Sequence, residues 1–139
     1  MKIERPHLLL VEDNPADAHL VSEALSEVHL DCELSLARDG AQAIEFIERL
    51  DSDPSLAPPD LVLLDLNLPK VNGEEVLKHV KASAACRTSK VLIMSSSDAP
   101  ADKQRAIDLG ATDYFRKPSS LDQFMELGFR IQEILAKHQ

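Results

Sequence analysis

Nowhere does this 139-residue chain approach the roughly 20 consecutive apolar residues that a membrane helix needs. Its start, "MKIERPHLLLVED", also lacks the long apolar stretch and small-residue cleavage site of a secretory signal. The expectation is a cytoplasmic protein with no membrane partner. Basic residues are scarce: 15 Lys and Arg face 24 Asp and Glu, for a formal net charge of −9. A field of that sign repels phosphate backbones and anionic surfaces, so nucleic acid is not an expected partner. Cysteine occurs twice, as Cys32 and Cys86, with no metal-ligand spacing; in a reducing compartment such residues act as small buried hydrophobes. His7, His19, His29, His79 and His138 lack ligand spacing too, and none reads as a phosphohistidine. There is no internal repeat and no domain linker, and the length suits one domain with a real core.

What is present is one repeated grammar. Short apolar runs, "HLLLVE" (7–12), "ELSLA" (33–37), "LVLLD" (61–65), "KVLIM" (90–94) and "DYFR" (113–116), alternate with longer stretches of helical spacing. This is βα repeated five times. Asn14 can cap a helix with Pro15 in its first position, Gly110 can end one, and Ser120 with Gln123 makes a capping box. Residues 51–60, "DSDPSLAPPD", read as an extended surface loop because their prolines and acids oppose regular structure. Runs one, three and four are continuously aliphatic, as strands covered on both faces must be, whereas runs two and five suit edges. Right-handed crossovers then give a doubly wound parallel α/β sheet of flavodoxin-like (βα)5 type, strand order 2-1-3-4-5, in a single domain.

In such a sheet, ligands bind beyond the carboxyl ends of the strands where the winding reverses, here between runs one and three. Glu12 and Asp13 leave run one there, Asp65 run three, Ser95 to Ser97 run four, and Lys117 follows run five. Three carboxylates in one crevice repel, and relief requires a cation. An all-oxygen donor set of Glu12, Asp13 and Asp65, with a backbone carbonyl near Asn67, suits Mg2+ far better than zinc. With that metal and the Lys117 ammonium present, Asp65 can act as a carboxylate nucleophile toward a phosphoryl donor, and Ser95 can hydrogen-bond a transferring oxygen. Taken singly, each residue has a plain structural reading as a turn, cap or loop side chain. The set points to chemistry.

With "VEDN" (11–14), "LLDLNLPKVNG" (63–73), "MSSSD" (94–98) and "YFRKP" (114–118) in this order, the chain resembles the response-regulator receiver domain of two-component signalling over nearly its whole length. The resemblance implies that Asp65 is the phosphoacceptor, Glu12 and Asp13 the acidic pair, Ser95 the switch hydroxyl and Tyr114 the aromatic switch. It also implies that Asn67 lends its main-chain carbonyl to the metal, that Lys117 contacts the phosphoryl group, and that Pro118 follows a cis peptide bond. The implied function is a phosphorelay component that takes a phosphoryl group from a sensor histidine kinase and passes the signal to a downstream protein target or phosphotransfer protein. It catalyses only its own phosphorylation and dephosphorylation, so it is not expected to be an enzyme acting on outside substrates. Serine at 95 and at 96 departs from the commoner threonine and alanine, without removing the chemistry. "EDNPAD", the 51–60 loop and the end of the chain soon after the fifth helix resemble stand-alone regulators, without an output domain, that partner phytochrome-type kinases.

Three rivals are weighed against this reading. A haloacid-dehalogenase-type phosphatase wants its Asp-x-Asp on the first strand, whereas Asp65 is on the third and Asn67 stands at its second position. A flavodoxin wants a Ser/Thr/Gly-rich phosphate loop where "EDNPAD" stands. A receiver fold that binds its partner without phosphorylation would have no need of the intact Glu12, Asp13, Asp65, Ser95 and Lys117 set. In the last helix, Leu121, Phe124, Leu127, Ile131, Ile134 and Leu135 form a core stripe. Met125 and Phe129 lie off it and are the expected contact patch for a partner or a second copy, on the face of strand 5 and helices 4 and 5. Phosphorylation is expected to draw Ser95 inward and open space that Tyr114 fills.

Overall fold

Each of the five apolar runs becomes a strand in a computed structural model, which describes residues 5–68 and 71–137. Pro69, Lys70 and His138 lie outside the described residues. The strands are β1 (His7–Val11), β2 (Glu33–Ala37), β3 (Leu61–Asp65), β4 (Lys90–Ser95) and β5 (Asp113–Arg116). The helices between and after them are α1 (Pro15–Glu27), α2 (Gly40–Ser52), α3 (Gly73–Ala82), α4 (Pro100–Asp108), the short α5 (Leu121–Phe124) and α6 (Glu126–Lys137). All neighbouring strands pair in parallel, in the order β2-β1-β3-β4-β5. The flavodoxin-like order expected from the strand compositions is therefore the one observed.

Period-two alternation sorts the strand side chains into two cores. Leu8 and Leu10, Leu61 and Leu63, and Leu92 and Met94 pack with Phe115 against Val21, Ala24 and Leu25 of α1 and Leu127 and Ile131 of α6. Leu9 and Val11, Val62 and Leu64, and Val91 and Ile93 pack with Tyr114 against residues of α2, α3 and α4. Both faces are dry, which is why β1, β3 and β4 carry no polar residue in their middles. Where α6 meets α1, a Cβ at Gly128 would collide with the Ala24 carbonyl oxygen. Glycine there lets the two helices close over the sheet.

The helix boundaries follow the local chemistry. The Asn14 side chain accepts the amides of Ala16 at 2.9 Å and Asp17 at 3.4 Å, with Pro15 in the first helical position. The Ser120 hydroxyl accepts the Gln123 amide at 3.2 Å. Gly110 follows α4 with φ +108°, the left-handed conformation that favours glycine at a helix end. Cys32 and Cys86 are free thiols, half-buried and buried, and burial pushes both up in pKa.

Two boundaries differ from expectation. Asp51 and Ser52 belong to the end of α2, so the loop begins at Asp53. Its exposed middle ends at Pro59, which is buried and whose carbonyl accepts the Ser89 hydroxyl at 2.7 Å. The last helix is divided at Met125 into α5 and α6. Leu121, expected in the core stripe, is 58% exposed at the first position of α5. Among the described residues, no helix is long and apolar enough to cross a membrane.

Candidate functional site

The carboxyl edge of the sheet inherits the alternation of the strands. Counting on from Leu8 and Leu10, Glu12 falls on the α1 side, as do Asp65 after Leu61 and Leu63 and Lys117 after Phe115. Ser95, in step with Val91 and Ile93, falls on the α4 side with Tyr114. One edge thus presents charge to one layer of helices and hydroxyls to the other.

On the charged side, the main chain fixes each residue before its side chain acts. The Glu12 amide donates to the Ala37 carbonyl at 3.0 Å, and the Lys117 amide to the Ser95 carbonyl at 2.7 Å. The strand-to-helix turn after Asp65 is closed by the Gly73 amide on the Leu66 carbonyl at 3.3 Å. A Cβ at Gly73 would strike the Asp65 carbonyl oxygen, so this close return of the chain requires glycine. The Asp65 carboxylate is held at both ends: Oδ1 accepts the Asn67 amide at 2.9 Å, and Oδ2 accepts the Lys117 ammonium at 3.2 Å.

Lys117 is the hub. Its Nζ also donates to Glu12 Oε1 and to Asp17 Oδ2, each at 2.9 Å. Burial alone would lower its pKa, but the hydrogen bonds to Asp17 and Glu12 and the charge of Asp65 outweigh it and hold it above the ordinary lysine range. Burial raises Glu12 to about 9, helped by Asp65 beside it and opposed by Lys117. Asp65 thus still opposes the charge on Glu12 although Lys117 bonds to both.

The fit to a metal follows from the same crowding. Glu12, Asp13 and Asp65 each offer a carboxylate oxygen within 4.8 Å of the others. Glu12 Oε2 is buried and has no hydrogen-bond partner, an arrangement that costs free energy unless something cationic meets it. The donors are all hard oxygens, and Asp13 is exposed, which leaves the set open to solvent on one side as Mg2+-type sites usually are.

On the hydroxyl side, Ser95 is 2% exposed and its Oγ accepts the Ser97 amide at 3.1 Å. The Ser97 hydroxyl donates to Asp102 of α4 at 2.5 Å and accepts the Ala99 amide at 3.2 Å. The Tyr114 hydroxyl donates to the Ser97 carbonyl at 2.9 Å, with its ring buried. Tyr114 therefore lies in an inner position, against the Ser95–Ser97 segment. One expectation is corrected at Pro118. The Lys117–Pro118 bond is trans, since the described residues contain no cis peptide. Trans is the lower-energy isomer, and Lys117 reaches all three carboxylates from it.

The structure thus brings together Glu12, Asp13, Asp65, Asn67 and Lys117 on one side and Ser95 and Tyr114 on the other. Asp17 is an addition that sequence reasoning missed, although it lies inside the quoted "EDNPAD". Of the expected contact pair, Met125 is half-buried against the α1-side core, while Phe129 is 63% exposed. Beside Lys117 opens a cleft of about 700 Å3, bordered by Asp17, Ser96, Phe115, Pro118 and Gln123.

A 2-1-3-4-5 sheet with an acid cluster and a lysine at its switch point defines the receiver class. A family model for the response regulator receiver domain matches residues 8–127, and the chain belongs to that family, whose members are the phosphoryl-receiving partners of histidine kinases in two-component systems. The response regulator Rcp1 of Synechocystis is 34% identical over 120 residues, covering 86% of this chain and 82% of Rcp1. The phosphorylated cyanobacterial phytochrome response regulator RcpA superposes with a TM-score of 0.85 at 32% identity, covering 98% of this chain and 97% of that one. The Mn2+-bound form of Rcp1 superposes with a TM-score of 0.80 at 33% identity, covering 92% of each chain. Receiver structures therefore hold divalent metal, and this chain presents an acid cluster suited to one.

Proposed function

We propose that this receiver takes a phosphoryl group from a histidine kinase phosphohistidine onto Asp65, with Mg2+ held by Glu12, Asp13, Asp65 and the main-chain carbonyl of Asn67. The observation that carries this reading is the convergence of Lys117 on Asp65 and Glu12 while a buried Glu12 oxygen stays unpaired. A bound Mg2+ would supply Lewis-acid stabilisation of charge on the phosphoryl oxygens. The chain's own residues do the rest. The Asn67 amide and Lys117 fix the rotation of the Asp65 carboxylate, and the exposed Asp13 leaves the acid cluster open to a donor on one side. The P–N bond to the kinase imidazole breaks as a P–O bond to Asp65 forms, and the electron pair leaves with the imidazole.

Ser95 then becomes a donor toward a phosphoryl oxygen while its Oγ still accepts the Ser97 amide. Tyr114, bonded to the Ser97 carbonyl, and the α4 start, held through Asp102 by the Ser97 hydroxyl, are the parts that a shift of Ser95 would move. The kinase is of phytochrome type on this reading, supported by the likeness to Rcp1 and RcpA, and the setting is cytoplasmic. The exposed ring of Phe129 is the candidate contact for a downstream protein or a second copy.

Incubation with acetyl phosphate, with and without Mg2+, tests the reading through intact mass. Wild type should gain one phosphoryl group only with Mg2+, and Asp65→Asn should gain none. Equal uptake by Asp65→Asn would remove Asp65 from the role.

A further inference from the structure

We infer that Asp17 is a positioning residue that holds Lys117 back from the phosphoryl-accepting centre and so slows phosphoryl capture, an inference that rests on Asp65 being the phosphoacceptor. An ammonium group has three N–H donors. All three are committed here, to Glu12, Asp17 and Asp65, and the contact to Asp17 at 2.9 Å is shorter than the one to Asp65 at 3.2 Å. Glu12 and Asp65 belong to the carboxylate group that fits a metal; Asp17 does not. With a cation on those acids, the claim of Glu12 on Lys117 weakens, and Asp17 becomes the carboxylate that competes with a phosphoryl oxygen for the same ammonium.

The position of Asp17 in its helix leaves the side chain free for this. It sits in the first turn of α1, where the capping is done by Asn14: its backbone amide is taken up by the Asn14 side chain, and its carboxylate makes no bond within the helix. Both Asp17 and Lys117 border the 700 Å3 cleft, so the pair is open to it. An acid at a helix start also favours the helix dipole, which is the structural role to be distinguished. Loss of that role can only weaken α1; loss of a tether frees the lysine.

Asp17→Asn keeps the size and an acceptor oxygen but removes the charge. At saturating Mg2+ and acetyl phosphate, its phosphorylation rate should rise roughly threefold, the factor expected of a partly solvated ion pair. Asp17→Glu should stay close to wild type, and in a Lys117→Ala background the Asp17→Asn gain should vanish. An unchanged or slower Asp17→Asn protein would overturn the inference while leaving Asp65 in place. So would a gain that persists without Lys117 or appears only as tighter use of acetyl phosphate, because the charge would then act on the donor directly. A wild-type protein that takes up no phosphoryl group would overturn the Asp65 reading, and this inference with it.

Discussion

The two sides of the sheet's carboxyl edge are built from different materials. Toward α1 stand Glu12, Asp65, Lys117 and Asp17, joined by charge-assisted contacts around one ammonium. Toward α4 stand Ser95, Ser97 and Tyr114, joined by neutral hydroxyl and amide bonds, with the acid Asp102 as the first charged group beyond them. Charges in a partly buried crevice resist rearrangement and suit the capture of another charge. Neutral hydrogen bonds are worth about 1 kcal/mol each and exchange partners at small cost. On the proposed function, the comparison separates chemistry from relay: the α1 side would hold the phosphoryl-accepting machinery, and the α4 side would change shape when that machinery is loaded.

The division can be broken most sharply at Lys117. Lys117→Ala should slow phosphorylation by acetyl phosphate on the order of a hundredfold, as loss of one preorganised donor does. It should also lower the metal-free stability by about 3 kcal/mol, because Glu12, Asp17 and Asp65 lose the ammonium that bonds all three; denaturant titration reads this, and added Mg2+ should restore part of it. A Lys117→Ala protein as fast and as stable as wild type would show that the charged side is mere surface.

Ser95→Ala probes the other side with a smaller effect. It should still gain the phosphoryl mass, and its stability should fall by no more than about 1 kcal/mol. What it should lose is the amide chemical-shift change of α4 on phosphorylation. A full α4 response in phosphorylated Ser95→Ala would mean that the hydroxyl side is not the relay.

Much of this arrangement was legible in the sequence, and the reasons are physical. Doubly covered strands must be aliphatic throughout, so β1, β3 and β4 announced themselves, and with them the sheet order and the strand ends from which Glu12, Asp13, Asp65, Ser95 and Lys117 emerge. Asp17 was not legible, because an acid in a first helical turn is ordinary. Only counting the strand alternation through Glu12, Asp65 and Lys117, all facing α1, would have directed attention to that helix. Leu121 was not legible for a similar reason: apolar spacing says which residues share a helix face, not that the first position of α5 stands clear of the core. The trans bond before Pro118 and the buried Tyr114 depend on tertiary contacts that no local pattern encodes.

The central claim is that carboxylate crowding on the α1 side is resolved by a divalent cation. Without metal, Glu12 is raised from its ordinary 4.5 to about 9, so at neutral pH the folded protein binds a proton there that the unfolded chain does not. Its contribution therefore makes metal-free stability fall as pH rises between those values. Metal binding must expel that proton, so affinity should rise with pH and level off above about 9. Calorimetric titration of Mg2+ at pH 7 in buffers of different ionisation enthalpy measures the release directly. The expected result is binding with nearly one proton released by wild type and none by Glu12→Gln; absence of Mg2+ binding, or binding with no proton released by wild type, would contradict the account.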